Sequence, residues 1–204
     1  MKTIFLLLML AGLSPRAFGA VGCDLNDPDR DAARLFPGYT AYKTRYVSLR
    51  PGGAAQLARV EKRLGDKFKG LYENIEVPYT LYEIYRGKEL AGYIHGVNQK
   101  GEYGGIQVFL ALDPKGVIKS FYIQKLTSRA AQELRAKEYG AQFEGLSLKD
   151  FESYDPVAGK APAGSPAAGI KGPPAAGKDF SAVMRAVKKN LILMDEFVFA
   201  GKAK

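Results

Sequence analysis

The stretch GPPAAGKDF, Gly172 to Phe180, has Gly172, four residues, Gly177 and Lys178 in the spacing of a phosphate-binding P-loop, with Asp179 where that loop carries Ser or Thr. A P-loop cradles phosphate with successive backbone N–H groups and uses the hydroxyl to hold magnesium. Pro173 and Pro174 have no N–H, Asp179 places a negative charge at the helix start, and no apolar strand precedes Gly172. The resemblance to a nucleotide loop is therefore coincidental. His95 is the only histidine and sits in a strand-like run between Ile94 and Gly96, so a metal site built from several imidazoles is excluded and a structural role is the simpler reading. Glu133 and Glu138 are five apart, a spacing that does not bring two carboxylates onto one helix face. Neither a Gly-x-Ser-x-Gly elbow nor a Cys-x-x-Cys-His haem site is present. Without a catalytic set, a binding or carrier role is favoured over a turnover enzyme.

The elements that would position these residues are legible from periodicity. Asp24 to Arg34 is polar and reads as an irregular lead-in, and Leu35 to Leu49 alternates aromatic and polar residues as a short strand or extended arm. Leu57, Val60 and Leu64 form one stripe of a helix that starts near Ala54 and stops near Gly65. Four strand-like runs follow, Val77 to Tyr85, Glu89 to Val97, Ile106 to Asp113 and Val117 to Leu126, joined by short turns such as Asp113-Pro114-Lys115-Gly116. Ser128 to about Glu138 reads as a helix that breaks at Gly140. Of the 23 residues from Pro156 to Lys178, 17 are Pro, Gly or Ala, which predicts a mobile loop or linker outside the core. Asp179 then reads as the N-cap of a last helix with Phe180, Val183, Met184, Val187, Leu191 and Met194 on one stripe, and Arg185, Lys188 and Lys189 facing away from it. The fold class expected is α+β, an antiparallel meander sheet of four to six strands flanked by helices, with a C-terminal amphipathic helix. Residues 1–22 are a leader, 23–75 an N-terminal arm and helix, and 76–204 the main domain.

The leader MKTIFLLLMLAGLSPRAFGAVG has a basic start at Lys2, an apolar run from Ile4 to Leu13 too short to span a bilayer, and a small-residue exit, the pattern of a signal peptide. Cleavage after Gly19 or after Gly22 fits that exit. Ala20-Val21-Gly22-Cys23 also reads as a lipoprotein box, against which Arg16 close upstream argues. Cys23 is the only cysteine, so no internal disulfide forms, and it is either a free thiol near a flexible end or a lipid anchor. The expected location is exported, periplasmic or peripheral to the outer face of the inner membrane. The formal net charge is +9. Export, the even spread of Lys and Arg and the absence of a nucleic-acid motif turn that charge away from nucleic acid and toward an anionic membrane surface, an acidic partner or a phosphate-bearing cofactor.

Leu90 to Ser128 resembles the central stretch of the FMN-binding domain family found in the G-type subunit of Rnf complexes and the C-type subunit of sodium-pumping quinone reductases. The matching residues are Gly92-Tyr93, Tyr103-Gly104-Gly105, the Ile106 to Asp113 strand, Gly116-Val117-Ile118 and Thr127. Gln142-Phe143-Glu144-Gly145 and Ser181 to Val187 resemble later parts of the family in the same order. The resemblance implies FMN as cofactor, electron transport with membrane or periplasmic redox proteins as partners, and a flavoprotein carrier at or near the membrane. The residues it implies for cofactor binding are Tyr103, Gly104, Gly105, Thr127, Ser128, Gly177, Lys178 and Ser181. The family's Ser-Gly-Ala-Thr motif carries FMN through its threonine, whereas Gly177 falls at that threonine here and has no hydroxyl. Flavin attachment there would have to be non-covalent, with the helix start, Lys171, Lys178 and Ser181 meeting the phosphate. The second reading, motivated by Gly177 and Asp179 together, is a flavin-free binding or assembly module of a membrane redox complex that docks an acidic partner or the membrane.

Overall fold

The computed structural model of the protein describes residues 23–200, and the signal-peptide reading of residues 1–22 lies outside them. The fold is α+β. Strands β1 (Ala41–Val47), β2 (Tyr79–Arg86), β3 (Glu89–Lys100), β4 (Gly105–Leu112) and β5 (Ile118–Lys125) form one antiparallel meander in the order β1-β2-β3-β4-β5. The helices are α1 (Pro28–Leu35), α2 (Gly53–Leu64), α3 (Ala131–Leu134), α4 (Lys137–Ala141), α5 (Leu148–Phe151), α6 (Pro166–Gly169) and α7 (Gly177–Met194). None of them is long and apolar enough to cross a membrane.

The sheet is covered on both faces. Ile106, Val108, Leu110 and Leu112, the period-two set of β4, face the main core against α7. The alternate residues Phe109 and Ala111 face a second core built by Cys23, Leu25, Ala32 and Leu35. The segment expected to be an irregular lead-in therefore contains α1. Asp27 caps it by accepting the Arg30 N–H (3.1 Å), Pro28 opens it, and Asp29 and Asp31 complement the dipole in its first turn. Cys23 is 1% exposed rather than at a flexible end, and burial pushes its thiol well above the usual cysteine range.

Three further expectations are corrected. The helix predicted from Ser128 to Glu138 is two short ones, α3 and α4, because Ala136 is extended between them. Next to that break Arg135 turns back to donate to the Ile123 and Gln124 carbonyls on the β5 edge, both at 3.2 Å. Tertiary contacts override local propensity here, with Phe143 stacked on Phe121 of β5 at 4.4 Å. The Pro/Ala/Gly-rich segment is pinned to the main core by Ala167, Ile170 and Ala176. Arg185, Lys188 and Lys189 do not face solvent, since every residue of α7 from Val183 to Met194 is buried.

Those buried charges are met by partners. Glu73 receives Arg185 Nη1 and Lys189 Nζ, each at 2.6 Å. Arg185 also binds Asp66 (2.9 Å), Gln99 (2.7 Å) and the Lys67 carbonyl (3.1 Å). Lys189 completes its set with the Asn98 carbonyl at 2.6 Å. Burial alone would raise the Glu73 carboxyl, but the Lys189 charge and the Arg185 hydrogen bond hold it below the usual carboxylate range. Burial pulls the Lys189 ammonium below the usual lysine range. The cluster fastens the segment from Asp66 to Glu73 and the end of β3 to one helix. Removing its central anion leaves Lys189 buried without a counter-ion and Arg185 with Asp66 as its remaining carboxylate, so Glu73→Ala is expected to lower the unfolding free energy by about 3–5 kcal/mol, read from the denaturant midpoint.

Candidate functional site

The β3–β4 hairpin turns through Gly101-Glu102-Tyr103-Gly104, closed by a Gly101 N–H to Gly104 carbonyl bond of 2.8 Å. Its tip meets the start of α7 and the chain leaving β5. Thr127 packs against Gly104, 3.4 Å from where a Cβ would stand. Arg129 lies over the Tyr103 ring, 5.4 Å from its centre, and Tyr103 remains 46% exposed. The Glu102 carboxylate comes to 3.9 Å from the Cβ position of Gly177. Tyr103, Gly104, Thr127 and Gly177 thus gather at one corner.

The other predicted site residues point elsewhere. Gly105 is covered by the Tyr72 ring, 2.8 Å from its Cβ position. The Ser128 hydroxyl accepts the Ala130 N–H at 3.2 Å, Lys178 is exposed, and Ser181 faces Gly159 in the Pro/Ala/Gly-rich segment.

Asp179 is not the N-cap of α7. The helix begins at Gly177, no side chain caps it, and Asp179 lies inside the first turn at 1% exposure. Its carboxylate reaches across to the hairpin, where Oδ1 accepts the Glu102 N–H at 2.7 Å. Oδ2 is buried with no partner. Gly101 is required at this contact because a Cβ there would lie 2.7 Å from Asp179 Oδ1. Gly177 enters the helix at φ +47° and ψ −123°, a conformation that a side-chain-bearing residue adopts only under strain. Gly177 thus offers neither a hydroxyl nor a backbone conformation that a threonine would adopt without strain.

Behind this corner, His95 is fully buried. Asn190 donates its amide to the His95 and Val108 carbonyls at 2.9 and 3.3 Å, so its oxygen faces His95 Nδ1 at 2.7 Å and Nδ1 carries the proton. Nε2 has no partner and lies among the Tyr79 and Phe197 rings. Burial lowers the imidazole to about 4, so it stays neutral and structural. No group of three or more His, Cys, Asp or Glu among the described residues is placed to hold a metal.

Sequence reasoning missed two features. Asn190 and Lys189 look like ordinary polar positions on an amphipathic helix; the signal against that is the apolar run Leu191 to Met194, which fills more than one stripe. The pairing of Asp179 with Glu102 joins residues 77 positions apart and leaves no local trace. No protein-family model matches the chain, and no curated protein matches it.

The His95 pKa is depressed relative to an unfolded value near 6.5, so its stabilising effect is complete above that pH and is lost as pH falls toward 4. Acidification over that window is expected to cost up to about 3 kcal/mol from this residue. Unfolding titrations of His95→Gln should show a correspondingly shallower loss.

Proposed function

We propose that the protein is an exported, flavin-free docking or assembly module of a membrane-associated electron-transfer system, carrying the architecture of an FMN-binding domain without its cofactor. One observation carries this reading: the buried Asp179 carboxylate occupies the junction between the α7 start and the hairpin. A flavin phosphate at that junction would meet Asp179 and Glu102, two carboxylates, in place of hydroxyl and free N–H donors. Gly177 offers no hydroxyl, and Tyr72 blocks close approach of a ring to Gly105. These features favour a corner that does not cradle phosphate. The packed position of Cys23 favours export without a lipid at that residue.

Among the described residues the β1 edge of the sheet is the more open to a partner. Arg135 covers part of the β5 edge, whereas among the described residues β1 pairs with β2 alone and is mostly exposed. On β1, Lys43 is exposed, Arg45 is paired with Glu83 of β2 at 2.7 Å, and Tyr46 is 72% exposed. An acidic extended segment of a membrane or periplasmic redox protein would add a strand there, with main-chain bonds for affinity and the Lys43 charge for specificity.

A second reading, a carrier holding FMN non-covalently, draws support from the uncapped α7 start and the gathering of Tyr103, Gly104 and Thr127 beside it. The absorbance spectrum of the exported protein separates the two. The docking module is colourless and gains no flavin band when FMN is added. A yellow protein that releases FMN on denaturation contradicts the proposal and establishes the carrier.

A further inference from the structure

The face of α7 remote from the hairpin corner, together with α2 and α5, encloses a cleft of about 500 Å³. That volume is typical of small-molecule sites. Its apolar wall is Leu148 and Ile192. Its charged lining is dominated by cations, and two of these are committed: Arg63 is bound to Asp195 (2.6 Å) and Glu196 (3.0 Å), and Arg59 to Glu196 (3.4 Å).

The other two cations, Lys62 and Lys188, differ in kind. Lys188 is 3% exposed, and its ammonium donates to the Glu152 and Tyr154 carbonyls at 3.1 and 2.7 Å. Among the described residues neither Asp155 nor Glu152, which also lines the cleft, forms an ion pair with it; burial holds the ammonium below the usual lysine range, with Asp155 and Glu152 opposing that only from a distance. A lysine ammonium has three donors, and two are used. Lys189, one residue along the same helix, shows the contrast, with Glu73 in direct contact. Among the described residues Lys188 is therefore a buried cation without a counter-ion, lining a cavity. Lys62 stands exposed at the rim with no ion pair among the described residues.

We propose that this cleft binds a small organic anion with an apolar stem, its charged head on Lys188 and Lys62 and its stem against Leu148 and Ile192. The head completes the Lys188 donor set, and the wall selects against bare inorganic anions. The inference is independent of the docking reading, which concerns the opposite end of α7 and the β1 edge.

Calorimetric titration of the full chain tests it with octanoate, octyl phosphate, octylammonium and acetate. Octanoate, octyl phosphate or both are expected to bind, with octylammonium and acetate at least about tenfold weaker. Binding of octanoate alone assigns a carboxylate head, and of octyl phosphate alone a phosphomonoester; either supports the site. Lys188→Met should weaken binding about tenfold or more, since it removes a charge-assisted hydrogen bond from a buried position. Lys62→Glu alters an exposed side chain, keeps the fold, and should weaken binding several-fold, whereas Lys88→Glu in the β2–β3 turn should not. Failure of both amphiphilic anions to bind overturns the proposal, as does equal binding of octylammonium or indifference to Lys62→Glu.

Discussion

The structure depends on keeping charged groups inside. From Val183 onward α7 is buried on every side, yet it carries Arg185, Lys188 and Lys189 within that stretch. Such a helix is tolerable only if each cation is received by acceptors held in place by other elements. Glu73 and Asp66 supply the charge, and Gln99 and the Asn98 carbonyl fix the end of β3 to the same cluster. One residue beyond Lys189, Asn190 ties His95 and Val108, in β3 and β4, to the helix through neutral hydrogen bonds. Helix, sheet and the segment between α2 and β2 are thus held in one register by polar contacts that would be costly if any were misaligned.

That register determines what the start of α7 can do. With the helix fixed against β3, its first turn is carried to the tip of the β3–β4 hairpin, and Asp179 falls opposite the Glu102 amide. A helix start is usually a place for an anion, through its dipole and free N–H groups. Here the anion is the protein's own carboxylate, and the hairpin is its ligand. The remote face of the same helix has the opposite character, with the Lys188 ammonium held only by carbonyls beside an open cleft. One buried helix thus presents a filled anionic corner at one end and an incompletely met cation further along.

The meander was legible because its strands keep a period of two and its turns carry Pro, Gly and Asp where turn geometry asks for them. Ile106 to Leu112 and the Asp113 to Gly116 turn needed no tertiary information. The short α1 was misread because its capping signal, Asp27 followed by Pro28, lies in a strongly charged stretch without an apolar stripe of its own. The Pro/Ala/Gly-rich segment was misread for a related reason: Ala167, Ile170 and Ala176 are three anchors in a composition that resembles a linker. At the candidate site, the gathering of Tyr103, Gly104, Thr127 and Gly177 followed from motif order. Local rules favour Asp179 as a cap, whereas its bond to a residue 77 positions away emerges only from the packed fold.

The closure of the corner by Asp179 is tested most directly by hydrogen exchange at the Glu102 amide. An amide at an exposed hairpin tip ordinarily exchanges at close to the unprotected rate, and only the Asp179 carboxylate holds this one. Slow exchange at Glu102 in the native chain, lost in Asp179→Ala while β3 and β4 amides stay protected, is the result expected of a corner filled by its own carboxylate. Rapid exchange at Glu102 in the native chain would contradict the account and leave the corner open for an external anion.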